Sequence, residues 1–319
     1  VTTELRTRPA LSEGLREALR TVTFAPDLRS GKVGGHEFEG DVPKSLRRSL
    51  AHTLYTAFHT GQPSRKGKRH PAMTDPRLAE DLRSAVPHST SAMTAHGVVG
   101  SDSPDEAEVL LGGVRVRVPW DLVTMSGPET AEVRVPAVMP KRSPGFLLVH
   151  GSGGHSLQDQ EILRLYLSVP SHTDAPRIWG HLLTLLEESG IGYQAKVLSA
   201  RSSYPRRDAI VVYLGQSSWP AVPGLVEGMA GTEGLGDEGS LYTARLAPGI
   251  GWAWEPDGSQ VDKHDLSFGQ HRSRIIAEAL IRAQESGSDR EEEVARALAD
   301  GGVPPESPHR SYRSPAIGL

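Results

Sequence analysis

Apolar and polar positions repeat at two periods along this chain, and the period changes near residue 110. Before that point Leu46, Leu50, Leu54 and Phe58 fall on one helical face. Asp41 and Pro43 supply a cap and a first-turn proline, and Gly61 closes the run. Asp75-Pro76 predicts a second, short helix ending near Pro87. Beyond residue 110 the period falls to two. Val114, Val116 and Val118 alternate with Arg115 and Arg117, a half-exposed strand, and Val133 and Val135 suggest another. Phe146-Leu-Leu-Val-His150 reads as a buried strand. Leu163, Leu165, Leu167 and Val169 form a core face; Arg164, Tyr166 and Ser168 line a polar cleft or face water. Further strands are predicted at residues 193–198 and 208–214, with one or two in 241–254.

Helices return between and after these strands. Thr173-Asp174 with Pro176 opens one carrying Ile178, Leu182, Leu185 and Leu186, closed by Gly190. Ser267 and Gln270 have capping-box spacing, and Ile275, Ile276, Ala279, Leu280 and Ala283 continue as an apolar stripe. Arg274, Glu278 and Arg282 form the wet face of that helix. His271 and Arg272 stand four residues before Ile275 and Ile276, so both point along the buried stripe. A helix start already favours anions, and two inward cations make it a candidate phosphate pocket. An acidic helix follows at residues 289–299. The glycine-rich stretch 215–240 predicts a mobile loop with a short helix, a loop long enough to be a lid or else simply disordered.

These patterns predict an α+β fold: a helical N-terminal region, then a mostly antiparallel twisted sheet with packed helices. The domain reading is 1–95 for the helical region and 96–300 for the α+β domain. Residues 96–110 read as a polar linker, and 301–319, rich in Pro, Ser and Arg, as a disordered tail.

Composition narrows the function. The 319-residue chain has a formal charge of −4, which argues against a general nucleic-acid or membrane-surface binder. No apolar run approaches the ~18 residues of a membrane span and no secretory pattern opens the chain, so a cytoplasmic location is expected. There is no cysteine, hence no disulfide or thiol chemistry. The basic stretch at residues 62–70 reads as solvated surface, or more sharply as a contact for an acidic or phosphorylated peptide. Val149-His-Gly-Ser-Gly-Gly154 looks like the oxyanion loop of an α/β-hydrolase. Such an enzyme needs a G-x-S-x-G elbow, and the nearest candidate, Gly215-Gln-Ser-Ser-Trp219, lacks the second glycine. A phosphate-binding P-loop fails too, because no Gly-Lys-Ser/Thr follows.

Three pieces together resemble the HopA1-like proteins. They are Ser267-Phe-Gly-Gln-His-Arg272 running into Ile275-Ile-Ala-Glu-Ala-Leu280; Lys196 followed by Tyr204, Arg207, Asp208 and Tyr213; and Arg164-Leu-Tyr-Leu-Ser-Val169. The resemblance covers roughly residues 140–285. That family includes type III effectors and the lyase components of class V lanthipeptide and thioamitide biosynthesis, with a more distant relation to phosphothreonine lyases. The resemblance implies a phosphothreonine-lyase-like catalytic region and elimination of phosphate from phosphoserine or phosphothreonine in a precursor peptide, giving dehydroalanine or dehydrobutyrine. It implies no metal or organic cofactor, and a separate kinase as supplier of the phosphopeptide and a candidate partner.

The resemblance also assigns roles. The Cα–H beside a peptide carbonyl is a very weak acid, and a buried lysine among other cations can take it. The base falls at Lys196; the alternative is an edge-strand lysine that blunts aggregation. Planar guanidinium donors suit phosphate. Arg207 and Arg272 lead, with Arg164 and Arg206 beside them, although Arg207 and Asp208 could pair structurally instead. His271 or Tyr166 supplies the acid. Phosphothreonine lyases carry Lys-x-His on a strand where this chain reads Arg164-Leu-Tyr166, so the acid is the point of departure, with His155 as a further candidate. A non-catalytic scaffold that binds a phosphopeptide or a kinase is the competing function.

Overall fold

The alternating strand Leu163–Val169 lies inside a seven-stranded antiparallel sheet, beside its middle strand Arg206–Leu214. The computed structural model describes residues 10–64, 73–100, 103–139, 142–155, 161–256 and 266–319. The central sheet runs Ala244–Ala247, Ile250–Trp254, Leu163–Val169, Arg206–Leu214, Gln194–Leu198, Phe146–His150 and Val138–Met139 from edge to edge. Every pairing in it is antiparallel. The α+β class expected from the periods is the class observed.

Both faces of this sheet are covered, each by its own core. On one side Leu163, Leu165, Leu167, Val197, Ile210 and Val212 pack against the Ala175–Glu188 helix through Ile178, Trp179, Leu182 and Leu186. Burying each such side chain is worth roughly 1.5–3 kcal/mol. On the other side Tyr166, Val211, Tyr213 and Ala253 meet the Pro43–Leu54 and Phe268–Ser286 helices. All seven residues of Leu163–Val169 are therefore buried. The Arg164–Tyr166–Ser168 face does not look onto water; it lies under helices contributed by both ends of the chain.

Three further expectations differ from what is observed. The N-terminal region is not purely helical: Val22–Phe24, Ser30–Val33 and His36–Glu39 form a small antiparallel sheet under the Pro43–Leu54 helix. The polar linker at residues 96–110 is largely strand. Thr90–Gly100 and Glu106–Leu111 belong to a five-stranded sheet whose single apolar face is Ala95, Ala107, Val109 and Val133. A sheet with one wet face needs few apolar residues, so its strands read as linker. The C-terminal stretch is packed, not free. Val303 is buried, Ser12 N–H donates to Pro305 O at 3.1 Å, and Trp254 N–H donates to His309 O at 2.8 Å.

The glycine-rich stretch after residue 214 is also built in. Its Val222–Met229 helix buries Val222, Leu225 and Met229 in the core beneath the Ala175–Glu188 helix. The basic stretch at residues 62–70 lies mostly outside the described residues. No described helix is long and apolar enough to cross a membrane.

Candidate active site on the covered sheet face

Register places the candidate residues in two cross-strand rows. Arg164, Tyr213 and Gln194 are direct neighbours across three strands; Tyr166, Val211 and Lys196 form the next row. Val211 thus lies between Tyr166 and Lys196, whose backbones are about 10 Å apart, two strand spacings. A small side chain between two long ones makes a low point in the sheet face, a trough roofed by the covering helices, with Val211 and Tyr166 buried in the core beneath them. Lys196 Nζ stands 4.6 Å from the Phe146 ring centroid and 5.4 Å from that of Tyr213. It forms no ion pair with any described carboxylate, and it is only half-buried.

The arginines divide into two groups. Arg206 chelates Asp208 at 2.6 and 2.7 Å and donates to the Tyr55 hydroxyl at 2.9 Å. Its guanidinium also lies over Phe146, as Lys196 does. Arg164 is held bidentately by Glu255, lies 4.9 Å over the Tyr213 ring, and reaches the Tyr166 hydroxyl at 3.4 Å. These two converge on the trough. Arg207 turns away to pair with exposed Glu238 and to donate to Ala57 O at 3.4 Å. Arg272, 1 % exposed, donates to Pro308 O at 2.9 Å and Arg310 O at 3.2 Å, and contacts His271 Nδ1 at 2.6 Å. It fastens the C-terminal stretch to the Phe268–Ser286 helix. His271 goes with it: it lines a cavity of about 200 Å³ with Gly301, Gly302, Ser311 and Tyr312. The capping box at Ser267 forms as expected, with Ser267 N–H donating to Gln270 Oε1 at 2.8 Å. The inward cations it sets up serve the tail instead of the trough. Asp208 pairs with Arg206, not with its neighbour Arg207.

Two residues close to this trough went unrecognised in the sequence. The Pro43–Leu54 helix continues as a π-helix, Tyr55–Thr60, ending at Gly61 in the left-handed conformation (φ 65°). A Cβ on Gly61 would sit 2.5 Å from Arg207 Nε, so the chain turns there without a side chain. The π-turn aims Tyr55 and His59 at the sheet face; such turns recur at functional sites. His59 Nε2 is 3.6 Å from Asp208 Oδ2 and Nδ1 is 2.7 Å from Ser240 Oγ. Its ring centroid lies 5.6 Å from that of Tyr166. The signal available was Tyr55 and His59 at i, i+4 on one helix.

Burial and charge set the protonation states. Burial pushes the His59 imidazole down to about 4, with Asp208 opposing and Arg206 assisting. Burial alone would raise the Asp208 carboxyl, but Arg206 and then His59 hold it at about 2. The pair therefore stands as carboxylate and neutral imidazole. Burial raises the Tyr55 hydroxyl to about 12 and raises Tyr166 further. Burial, then Arg272, lowers His271 to about 4. Burial lowers Arg272 to about 10. His155, the further acid candidate, lies 4.3 Å ring to ring from His150, beside the Gly151–Gly154 turn. No group of metal ligands occurs among the described residues.

The model of the HopA1 effector protein family matches residues 137–310. The chain belongs to the HopA1 effector protein family. The HopA1 segment contains Arg164, Tyr166, Lys196, Arg206, Asp208 and Glu255; Tyr55 and His59 come from the stretch before it. Two solved structures of effector proteins are similar to this HopA1 chain, from Pseudomonas syringae pv. tomato strain DC3000 and Pseudomonas syringae pv. syringae strain 61. Their identities are 13% and 14%, each over 85% of this chain and 92% and 93% of theirs, with TM-scores of 0.48. No curated protein sequence matches the chain.

Proposed function

We propose that this HopA1-family chain is a lyase that eliminates phosphate from phosphoserine or phosphothreonine in a ribosomal precursor peptide, as in lanthipeptide-type biosynthesis. The observation that carries this reading is the trough over Val211. It has a half-buried lysine that pairs with no described carboxylate on one side and a tyrosine backed by an arginine on the other. Lys196 takes the Cα proton. The electron pair forms the Cα=Cβ bond, and the Cβ–O bond breaks with loss of phosphate. Tyr166 gives the leaving oxygen a proton, and Arg164 beside its hydroxyl stabilises the phenolate left behind. Arg206 and Tyr55, at the half-buried mouth near Phe146, hold the phosphate. Dehydroalanine or dehydrobutyrine and inorganic phosphate are the products, and no cofactor takes part. Lys196, Tyr166, Arg206 and Arg164 carry the reaction in this reading. His271, Arg272 and Arg207 are left with structural contacts.

A second reading rests on one specific feature: Arg164 and Arg206 already hold the carboxylates of Glu255 and Asp208. A scaffold that binds a phosphopeptide or a partner kinase needs only an exchange of these partners. Mass spectrometry separates the two. Incubation with a phosphoserine peptide and its kinase should give loss of phosphoric acid without gain of water. Intact phosphopeptide or hydrolysis to serine would refute the lyase.

A further inference from the structure

The Pro43–Leu54 helix carries a second stripe beside its Leu46, Leu50 and Leu54 core face, and the stripe runs into the π-turn at Tyr55. Lys44, Arg47, Arg48, Ala51, His52 and Tyr55 are spaced i, i+3, i+4, i+7, i+8 and i+11, one face of a helix. Leu46, Leu50 and Leu54 take the adjacent face into the core. This stripe forms one wall of an open groove of about 980 Å³. Gln270, Arg274 and Glu278 of the Phe268–Ser286 helix form the other wall, again at i+4 spacing, with Leu266 at its start. Four of the lining residues, Lys44, Arg47, Arg48 and Arg274, are cations, and Glu278 is the one lining carboxylate, paired with Arg274 at 3.3 Å. Lys44, Arg47 and Arg48 are exposed, and none forms an ion pair with a described carboxylate. A concentrated positive groove on a chain of net charge −4 is a local arrangement, not a consequence of composition.

We propose that this groove docks an acidic stretch of peptide, carried on the same polypeptide whose phosphorylated residue enters the trough; in that last clause it rests on the lyase reading. Three features select this occupant. The groove ends on Tyr55, whose hydroxyl accepts from Arg206, so groove and trough share a wall. From Lys44 to Tyr55 the helix rises about 16 Å, which spans roughly five residues of extended chain. Its bed is Ala51, Leu266 and the aliphatic stems of the cations, which suits a peptide with Asp and Glu side chains reaching the rim.

The test measures binding and elimination separately, on the full chain. A fluorescein-labelled, unphosphorylated Asp/Glu-rich peptide is titrated by anisotropy, beside a neutral Gly/Ser peptide, a duplex oligonucleotide and vesicles of anionic phospholipid. The acidic peptide should bind, and weaken as salt rises from about 50 to 300 mM, because exposed charges are screened. Arg47→Glu/Arg48→Glu should weaken it roughly tenfold or more, and Arg47→Gln/Arg48→Gln by less. Circular dichroism checks that both variants fold. In the second arm, replacing the acidic flank of a phosphoserine peptide by Gly/Ser should raise KM and leave kcat alone. Equal binding of acidic and neutral peptides would overturn the groove, as would tighter binding of the oligonucleotide or vesicles, or charge-reversal variants that bind normally. Groove binding without any elimination would leave the docking site standing and refute the lyase reading alone.

Discussion

Gly269 has no side chain where the His59 ring lies: a Cβ there would overlap the imidazole. This contact explains a glycine in the second position of the Phe268–Ser286 helix. It also joins the two ends of the chain at the trough, because His59 in turn sets Asp208, and Asp208 sets Arg206. Gly269→Ala should therefore push His59 off Asp208 and Ser240. The expected outcome is a stability loss of roughly 1–3 kcal/mol, the usual cost of overpacking, read by urea unfolding. The elimination rate should drop by more than the unfolded fraction accounts for. A variant with wild-type rate and lower stability would confine His59 to a packing role.

Lys196 and Tyr166 flank Val211 from opposite strands, so base and acid can act from opposite sides of one substrate. Lys196→Ala should abolish detectable elimination or lower it by ~10²–10⁴-fold, with the phosphopeptide Kd within about twofold. Tyr166→Phe should lower kcat by a similar factor, since it removes only the proton donor. Single-turnover phosphate release and equilibrium binding separate these effects. Full activity in Lys196→Ala would sink the assignment of the base.

How much of this was legible depended on the range of the interaction. The Ser267 cap and the stripe from Ile275 to Ala283 are local, and they gave the helix and the burial of His271 and Arg272 correctly. What Arg272 would meet was not local: its partners are carbonyls at Pro308 and Arg310, in a stretch whose Pro, Ser and Arg content read as disordered. Likewise, the alternation in Leu163–Val169 showed that its two faces differ. It could not show that a helix more than a hundred residues upstream covers the charged face. His59 and Tyr55 were missed for the same reason, compounded by a π-turn that shifts them off the ordinary helical register. Alternation along Arg206–Leu214 is local, and it alone puts Arg206 and Asp208 on one face and Arg207 on the other; register between strands, which is not local, sets Arg164 and Tyr166 in rows with Tyr213 and Val211.

Arg272 gives a direct contrast between ligand and fastener. As a fastener of the C-terminal stretch, Arg272→Gln leaves the carbonyls of Pro308 and Arg310 without their donor, at about 1–3 kcal/mol for each buried group. Limited proteolysis should then cut within residues 303–319, while KM for a phosphopeptide stays near wild type in the folded fraction. A large KM increase with the tail still protected would restore Arg272 as a phosphate ligand.

Four buried or half-buried histidines, His59, His150, His271 and His309, are all held down to about 4 from 6.5, chiefly by burial. Between these values the unfolded chain binds protons that the folded chain refuses. Stability therefore rises with pH across this window and is lost as pH falls through it. Asp208 works lower: its carboxyl at about 2 contributes stability that is present above 3.8 and lost only below it. The two windows are separable. From about pH 7 to pH 5 the urea midpoint should fall, with each histidine supplying on the order of 1–2 kcal/mol. His59→Gln should flatten that slope while leaving the steeper loss below about pH 4 in place, because Asp208 remains paired with Arg206. A pH profile unchanged by His59→Gln would mean that His59 binds protons alike in the folded and unfolded chains, and a steeper rise with pH would mean that it is protonated when folded, in an ion pair with Asp208.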